Sequence, residues 1–479
     1  MNDDDLEFTF NGLDGATGAP LYPPASLAEM EALARGLRPD PRQTAEVTAW
    51  REEMTRTHLG LREGFDARDL ASSGWGVVFP ANASPAVREA LAPLVEHRRS
   101  QAAARAEKRF REIDYRPGES KADFLRRSGV GPGPADPDRL PYYLLLAGNP
   151  EEIPWPFQHQ LEVQYAVGRL CFDTPEEYAS YARTVVDAET TAAQRTPPDR
   201  PRKITLFGAA NPDDRATQLM ASHLVRPLAT ALSALPGGGS VETLLAETAT
   251  RERLARLLGG EETPDLLFTA THGMGFPSGD PCQRAHQGAL LCHDWPGPRT
   301  APGPIARDCY LSGDDVADGA RPGGLISFFY ACHGMGTPER DAYAQRSGGA
   351  DRRLLAPQPF VARLPRRLLG HPAGGALAVI GHVERTWGYS FLWDGAGEQP
   401  QVFEDSLKRL LDGYPVGAAL EPFALRFGEL AADLTALLEK ISFDEPVDPR
   451  ELVRLWTAHN DARAYAVLGD PAVRLPGGR

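Results

Sequence analysis

No run of apolar residues in this chain approaches the length needed to cross a bilayer. The opening Met1-Asn2-Asp3-Asp4-Asp5 is acidic. It lacks the basic start and apolar core of a secretory leader, so export by the general route is not expected. Positive charge is also short: Lys and Arg number 51 against 65 Asp and Glu, a net charge of −14. That balance excludes the basic footprint of a nucleic-acid binder and signals solubility. Cysteine is sparse and odd in number, five in 479 residues, which suits reduced thiols in a cytoplasm better than a disulfide framework. The sequence holds no Walker loop, no dinucleotide fingerprint and no internal repeat.

Two stretches stand out against these absences. Leu325-Ile326-Ser327-Phe328-Phe329 is an apolar run that breaks off in Tyr330-Ala331-Cys332-His333-Gly334. Leu266-Leu267-Phe268-Thr269-Ala270 breaks off in Thr271-His272-Gly273. Short apolar runs bounded by Gly and Pro read as core strands of a parallel sheet. Parallel neighbours end at one edge, the edge where α/β folds place their sites. His272 and Cys332 are therefore expected to face each other there.

A thiolate is a strong nucleophile, and a neighbouring imidazole can generate it and later protonate a leaving amine. The backbone N–H groups of Gly273 and Cys332 could stabilise the oxyanion, since glycine permits close approach of a substrate. Taken singly, a cysteine after a core strand is usually inert and a lone histidine usually structural. The paired pattern favours chemistry over that bland reading. His333 is a rival base, but neighbours on a strand point to opposite faces, so His272 ranks above it. No metal and no cofactor are expected. Cys282, His286, Cys292 and His293 could suggest zinc, but their spacing is irregular and contains no Cys-x2-Cys knuckle.

The two blocks resemble the His and Cys blocks of the caspase-like (clan CD) cysteine peptidases. Further stretches resemble the gingipain-like branch. They are Tyr142-Tyr143-Leu144-Leu145-Leu146-Ala147-Gly148-Asn149-Pro150 with Ile153-Pro154, Tyr165-Ala166-Val167-Gly168-Arg169-Leu170, and Ala464-Tyr465-Ala466-Val467-Leu468-Gly469-Asp470-Pro471. The last is also similar to CHAT domains, and the Cys332-His333-Gly334 order is similar to metacaspases. The resemblance covers roughly Leu140 to Leu475. It implies a metal-free Cys–His dyad and a thioester acyl-enzyme, with Cys332 as nucleophile and His272 as general base and acid. Tyr330 stands where metacaspases carry an acid, so their preference for basic residues does not transfer directly.

Taken in order, residues 1–70 read as an N-terminal arm with a helix over Ser26–Gly36 and a second over about Gln43–Leu61. It serves either as packing or as a regulatory segment shielding the site. Residues 71–195 read as a non-catalytic α/β subdomain, with a strand at Trp75–Pro80 and a long helix over Ser84–Arg111. Thr196–Pro201 reads as a proline-stiffened linker. Residues 202–479 read as the catalytic domain, with a helix over Asp213–Ala234 capped by Asp213 or Asp214. The fold class expected is α/β: a caspase-like α/β sandwich with a mostly parallel sheet, two α/β subdomains and a helical arm. Pro338–Arg353 reads as a polar loop that could be cut. Gly375–His382 reads as another buried strand, with His382 and Glu384 as lesser candidates for orienting groups.

The function expected is that of a cytoplasmic cysteine endopeptidase acting on a protein or peptide. Activation by a partner or by self-processing, and a place in bacterial signalling or defence, follow from the resemblance alone. Tyr330, Trp387, Tyr389, Asp314 and Asp315 are the candidate pocket residues. The choice at P1 stays open: a basic residue, slightly favoured, would need an acid such as Asp280, Asp294, Asp314 or Asp315, and an acidic one would need Arg284, Arg299 or Arg385. Two alternatives stay open: a silent caspase-fold adaptor, and a Cys hydrolase of small amides. Alkylation of Cys332 far faster than Cys171 would speak against the adaptor.

Overall fold

A computed structural model describes residues 7–8, 12–20, 25–36, 60–194, 201–236, 239–260, 262–343, 354–393 and 395–476. The expected linker at Thr196–Pro201 lies almost wholly outside the described residues. So do nearly all of the helix expected at Gln43–Leu61 and most of the loop at Pro338–Arg353.

One ten-stranded sheet organises the chain. Its strands are β2 (Trp75–Pro80), β3 (Phe110–Tyr115), β4 (Tyr143–Ala147), β5 (Ala166–Leu170), β6 (Lys203–Gly208), β7 (Ser240–Leu245), β8 (Leu266–Ala270), β10 (Ile326–Tyr330), β11 (Ala378–His382) and β12 (Tyr465–Gly469). Two short strands outside it, β1 (Leu13–Asp14) and β9 (Met274–Gly275), pair with each other. The order across the sheet is β3-β2-β4-β5-β12-β11-β10-β8-β6-β7. Every pairing is parallel except β11 with β12. The fold class is thus α/β with a mostly parallel sheet.

The pattern of residues explains this order. Strands β2, β4, β5, β8, β10, β11 and β12 are buried at every position, as strands covered on both faces must be. The edges are polar: β3 reads Phe-Arg-Glu-Ile-Asp-Tyr, and β7 exposes Ser240, Glu242 and Thr243. Sequence periodicity places Phe110 and Arg111 in a helix running from Ser84. In the structure that helix, Pro85–Ala102, stops earlier and β3 follows. The charges that suggest a solvated helix face instead line a sheet edge.

The last strand, β12, joins the two halves. It lies between β5 and β11, and Leu468 pairs with Arg169. A Cβ on Gly168 would stand 2.3 Å from the Gly469 carbonyl oxygen, so only glycine permits this approach. Asp470, wholly buried, accepts from Arg98 Nε at 2.6 Å and Trp75 Nε1 at 2.9 Å. Arg98 also grips Glu189. The buried Arg169 donates to Gln158 and to the carbonyls of Gly148 and Ile153, and lies over Trp155. The three stretches that flank the His and Cys blocks in the sequence are therefore brought together at this seam.

Candidate active site

Strands β8 and β10 run in register from Leu266↔Ile326 to Ala270↔Tyr330. Thr271 N–H continues the ladder to the Tyr330 carbonyl at 3.1 Å. His272 and Cys332 therefore each leave the sheet two residues past its last pair, side by side at one edge. Gly273 makes the junction. A Cβ there would lie 1.7 Å from the Cys332 carbonyl oxygen, so the two turns can touch only through glycine.

His272 is buried, and both ring nitrogens are engaged. Nε2 lies 2.8 Å from Asp214 Oδ2. Nδ1 lies 2.8 Å from the Gly12 backbone nitrogen. A backbone N–H can only donate, so Nδ1 carries the lone pair and the ring proton sits on Nε2, facing the carboxylate. Asp214 caps the helix Arg215–Met220 and accepts from the Thr217 amide and hydroxyl. Burial alone would raise its carboxyl, but the His272 imidazole and the Thr217 bonds outweigh that and hold it at about 2.

Cys332 is fully buried. Its Sγ accepts from Thr386 N–H at 3.3 Å and lies 3.6 Å from Thr386 Oγ1. Burial pushes the thiol up to about 11, with the Thr386 bonds and the Arg385 charge opposing it. As arranged, the sulfur is a protonated thiol. The Gly273 N–H takes no part in the pairing with Leu290. The bonds His272 O to Leu291 N and Met274 N to Ala289 O flank it on the Leu290 side. Gly273 is then a non-hydrogen-bonded position of that pair, and its N–H points to the other edge of the segment, the edge on which β1 lies.

The remaining predicted residues fall in other surroundings. Tyr330 is buried among Phe391 and Phe403, its hydroxyl donating to the Trp387 carbonyl at 2.7 Å. Trp387 is buried against Tyr343. Tyr389 is half-buried and meets Trp393 edge-on. Asp315 accepts from Arg251 and Arg307, and Asp314 from Arg363. His333 is buried in a left-handed turn (φ 56°), so it follows the strand rather than facing away from Cys332 on it. Its imidazole is driven down to about 3 by burial and by the Arg385 charge. His382 donates through Nε2 to the Asp461 carbonyl, and Glu384 accepts from Arg385. Cys292 is buried and Cys282 exposed, and His286 Nδ1 lies 2.9 Å from the Tyr310 hydroxyl.

Sequence reasoning noted Asp214 only as a helix cap and did not single out Gly12 or Thr386. For Asp214 a signal existed. It follows β6, the parallel neighbour of β8, and so reaches the same sheet edge as His272. Nothing in the sequence ties Gly12 to a residue 260 positions away.

No family model and no curated protein matches this chain. Solved structures similar to it include one described as a protease, at 14% identity and TM-score 0.48, covering 85% of this chain and 80% of that one. Another is the Arg-specific cysteine proteinase gingipain R, at 11% identity and TM-score 0.43, covering 87% and 80%. A third is the complex of the pro- and mature domains of RgpB from Porphyromonas gingivalis, at 11% identity and TM-score 0.44, covering 84% and 81%.

Proposed function

We propose that this chain is a cysteine endopeptidase with Cys332 as nucleophile, His272 as general base and acid, and Asp214 as the residue that positions the imidazole. The observation that carries this reading is the state of His272. One nitrogen is fixed by a carboxylate and the other presents its lone pair to a peptide N–H, beside a cysteine in matching register. Nδ1 takes the Cys332 proton, and the thiolate attacks a peptide carbonyl. The Gly273 and Cys332 N–H groups receive the developing oxyanion. Nδ1–H then protonates the leaving amine, and water resolves the thioester along the same path. Asp214 stabilises the imidazolium that forms between these steps.

A basic P1 gains nothing from Asp314 and Asp315, whose carboxylates already face arginines. One observation favours the adaptor as a second reading: Cys332 is buried and its thiol is held protonated. A mixture of peptide acyloxymethyl ketones with varied P1, read by mass spectrometry, separates the two. A peptidase takes the label at Cys332, and His272→Ala loses it. Labelling confined to the exposed Cys282 even in Leu13→Asp, where β1 is loosened, would favour the adaptor.

A further inference from the structure

Given the peptidase reading of Cys332 and His272, we propose that Thr386 is a further catalytic residue, whose N–H and hydroxyl hold the Cys332 thiolate once His272 has taken the proton. The Thr386 N–H donates to Sγ at 3.3 Å, and Oγ1 lies 3.6 Å from the same sulfur. A hydrogen bond to an ionised acceptor is about twice as strong as one to a neutral group. These contacts therefore strengthen as the thiol gives up its proton, which is the condition for lowering a barrier. The hydroxyl can turn, accepting from S–H before the step and donating to the thiolate after it. Strand β10 lies between β8 and β11. His272 follows β8 on one flank of Cys332, and Thr386 follows β11 on the other.

The segment after β11 is tied down on both sides of Thr386. Val383 N–H donates to the Ala464 carbonyl at 2.8 Å, and Trp387 N–H to Asp461 Oδ1 at 2.9 Å. The Glu384 carbonyl accepts from His333 N–H at 2.5 Å, which joins this turn to the one that follows Cys332. Arg385, 2% exposed, donates to Glu384 and to the wholly buried Asp341. Glu384 itself adopts φ 107°, a conformation that side chains rarely take. Strain of this kind persists only where the surroundings over-determine it, and it gathers at active sites. Here it brings the Thr386 amide to the sulfur.

The charges around the sulfur leave this task to Thr386. Burial pushes the thiol up to about 11, and the Thr386 bonds oppose that more than the Arg385 charge does. Asp461, on the helix Pro449–Ala462, adds to the rise. Tyr330 on β10 and His333 after it are held neutral by burial. In the step itself the S–H bond breaks and its electron pair stays on sulfur. The proton goes to His272 Nδ1, from which the Gly12 N–H must first withdraw. The thiolate returns to the same two donors when water has released the thioester.

The test uses the full chain with Leu13→Asp throughout. Leu13 is buried with Met274, Phe276, Leu291, Trp295 and Ile305, so a charge there loosens β1 and opens the site. This parent is compared with the same chain carrying Thr386→Val, which keeps the shape and the N–H but loses the hydroxyl, or Thr386→Ser, which keeps both donors. Melting transitions confirm that each is folded. Iodoacetamide labelling of Cys332 at neutral pH is read by mass spectrometry, with Cys171 in the same digest as reference. Thr386→Val is expected to slow the labelling of Cys332 by roughly three- to ten-fold, since a less acidic thiol is partly offset by a more reactive thiolate. Thr386→Ser is expected to stay within about two-fold of the parent, and Cys171 to be unchanged. A threonine that only packs gives equal or faster labelling in Thr386→Val, and that result overturns the proposal. So does a loss in Thr386→Ser equal to that in Thr386→Val, or a parent whose Cys332 takes no label. The same proteins are given a peptide mixture. Slower labelling in Thr386→Val with no cleavage by the parent supports the held thiolate and sinks the peptidase reading. Cleavage by the parent, with labelling unchanged in Thr386→Val, does the reverse.

Discussion

The Asp214 carboxylate lies 2.8 Å from Nε2 of His272 and fixes which nitrogen of the ring carries the proton. The pair bridges two neighbouring parallel strands, since Asp214 follows β6 and His272 follows β8. Asp214→Asn could offer its amide N–H to Nε2 and favour the wrong tautomer. The expected outcome is a fall in kcat of about 10²- to 10⁴-fold with KM little changed. Steady-state kinetics check it. A melting curve runs alongside, because the lost helix cap itself costs about 1 kcal/mol. An unchanged kcat would mean that Asp214 does not act through His272.

The thiols rank differently from the sequence expectation. Cys332 and Cys171 are both buried, and burial pushes both up to about 11. Cys282 is exposed. At neutral pH, iodoacetamide should therefore label Cys282 first, and Cys332 no faster than Cys171. Leu13→Asp, by loosening β1, should raise labelling of Cys332 by roughly ten-fold while leaving Cys171 unchanged. Quantitative mass spectrometry of the alkylated peptides reads both results. Rapid labelling of Cys332 in the wild type would show a site already open.

The seam should be sensitive at Arg98. Its side chain is 1% exposed and bridges Asp470 and Glu189, joining the helix Pro85–Ala102 to the end of β12 and to the helix Pro175–Gln194. Arg98→Ala leaves the wholly buried Asp470 without its cation, and should lower unfolding free energy by about 3–5 kcal/mol. Arg98 and Asp470 replaced together by apolar residues of similar volume should lose much less. Denaturant titration distinguishes them. Equal losses would show that the space, and not the charge, matters.

His333 gives a signed pH effect. Its folded value is about 3, set by burial and then by Arg385, against about 6.5 in an unfolded chain. The unfolded chain thus takes up this proton first. The stability is fully present above about pH 6.5 and is lost as pH falls toward 3. His333→Asn suits the left-handed turn and does not carry the charge. Between pH 7 and pH 4 the wild type should lose on the order of 3 kcal/mol relative to this variant. Parallel curves in urea titrations across that range would contradict a neutral, buried His333.

Much of this was legible where burial on both faces writes an unbroken apolar run. Leu266–Ala270 and Ile326–Tyr330 read as parallel core strands and are such strands. Their matched ends bring His272 and Cys332 to one edge. The flanking motifs were legible as pattern but not as purpose: Gly168 is glycine because the Gly469 carbonyl stands against it. Aromatic residues near the cysteine carried no sign of depth, and Tyr330 and Trp387 are buried against other aromatic rings. Partners distant in sequence leave no local trace. The Gly12 contact with His272 depends on a sheet register that no periodicity encodes.

The most direct test of the central claim is proteolysis of a mixed peptide library, read by mass spectrometry. Wild type is run beside Cys332→Ala and His272→Ala, each confirmed to be folded. The account predicts cleavage by the wild type at a common set of bonds and its loss in both variants. Cleavage that survives in either variant, or its absence both from the wild type and from a Leu13→Asp variant in which β1 is loosened, would contradict it.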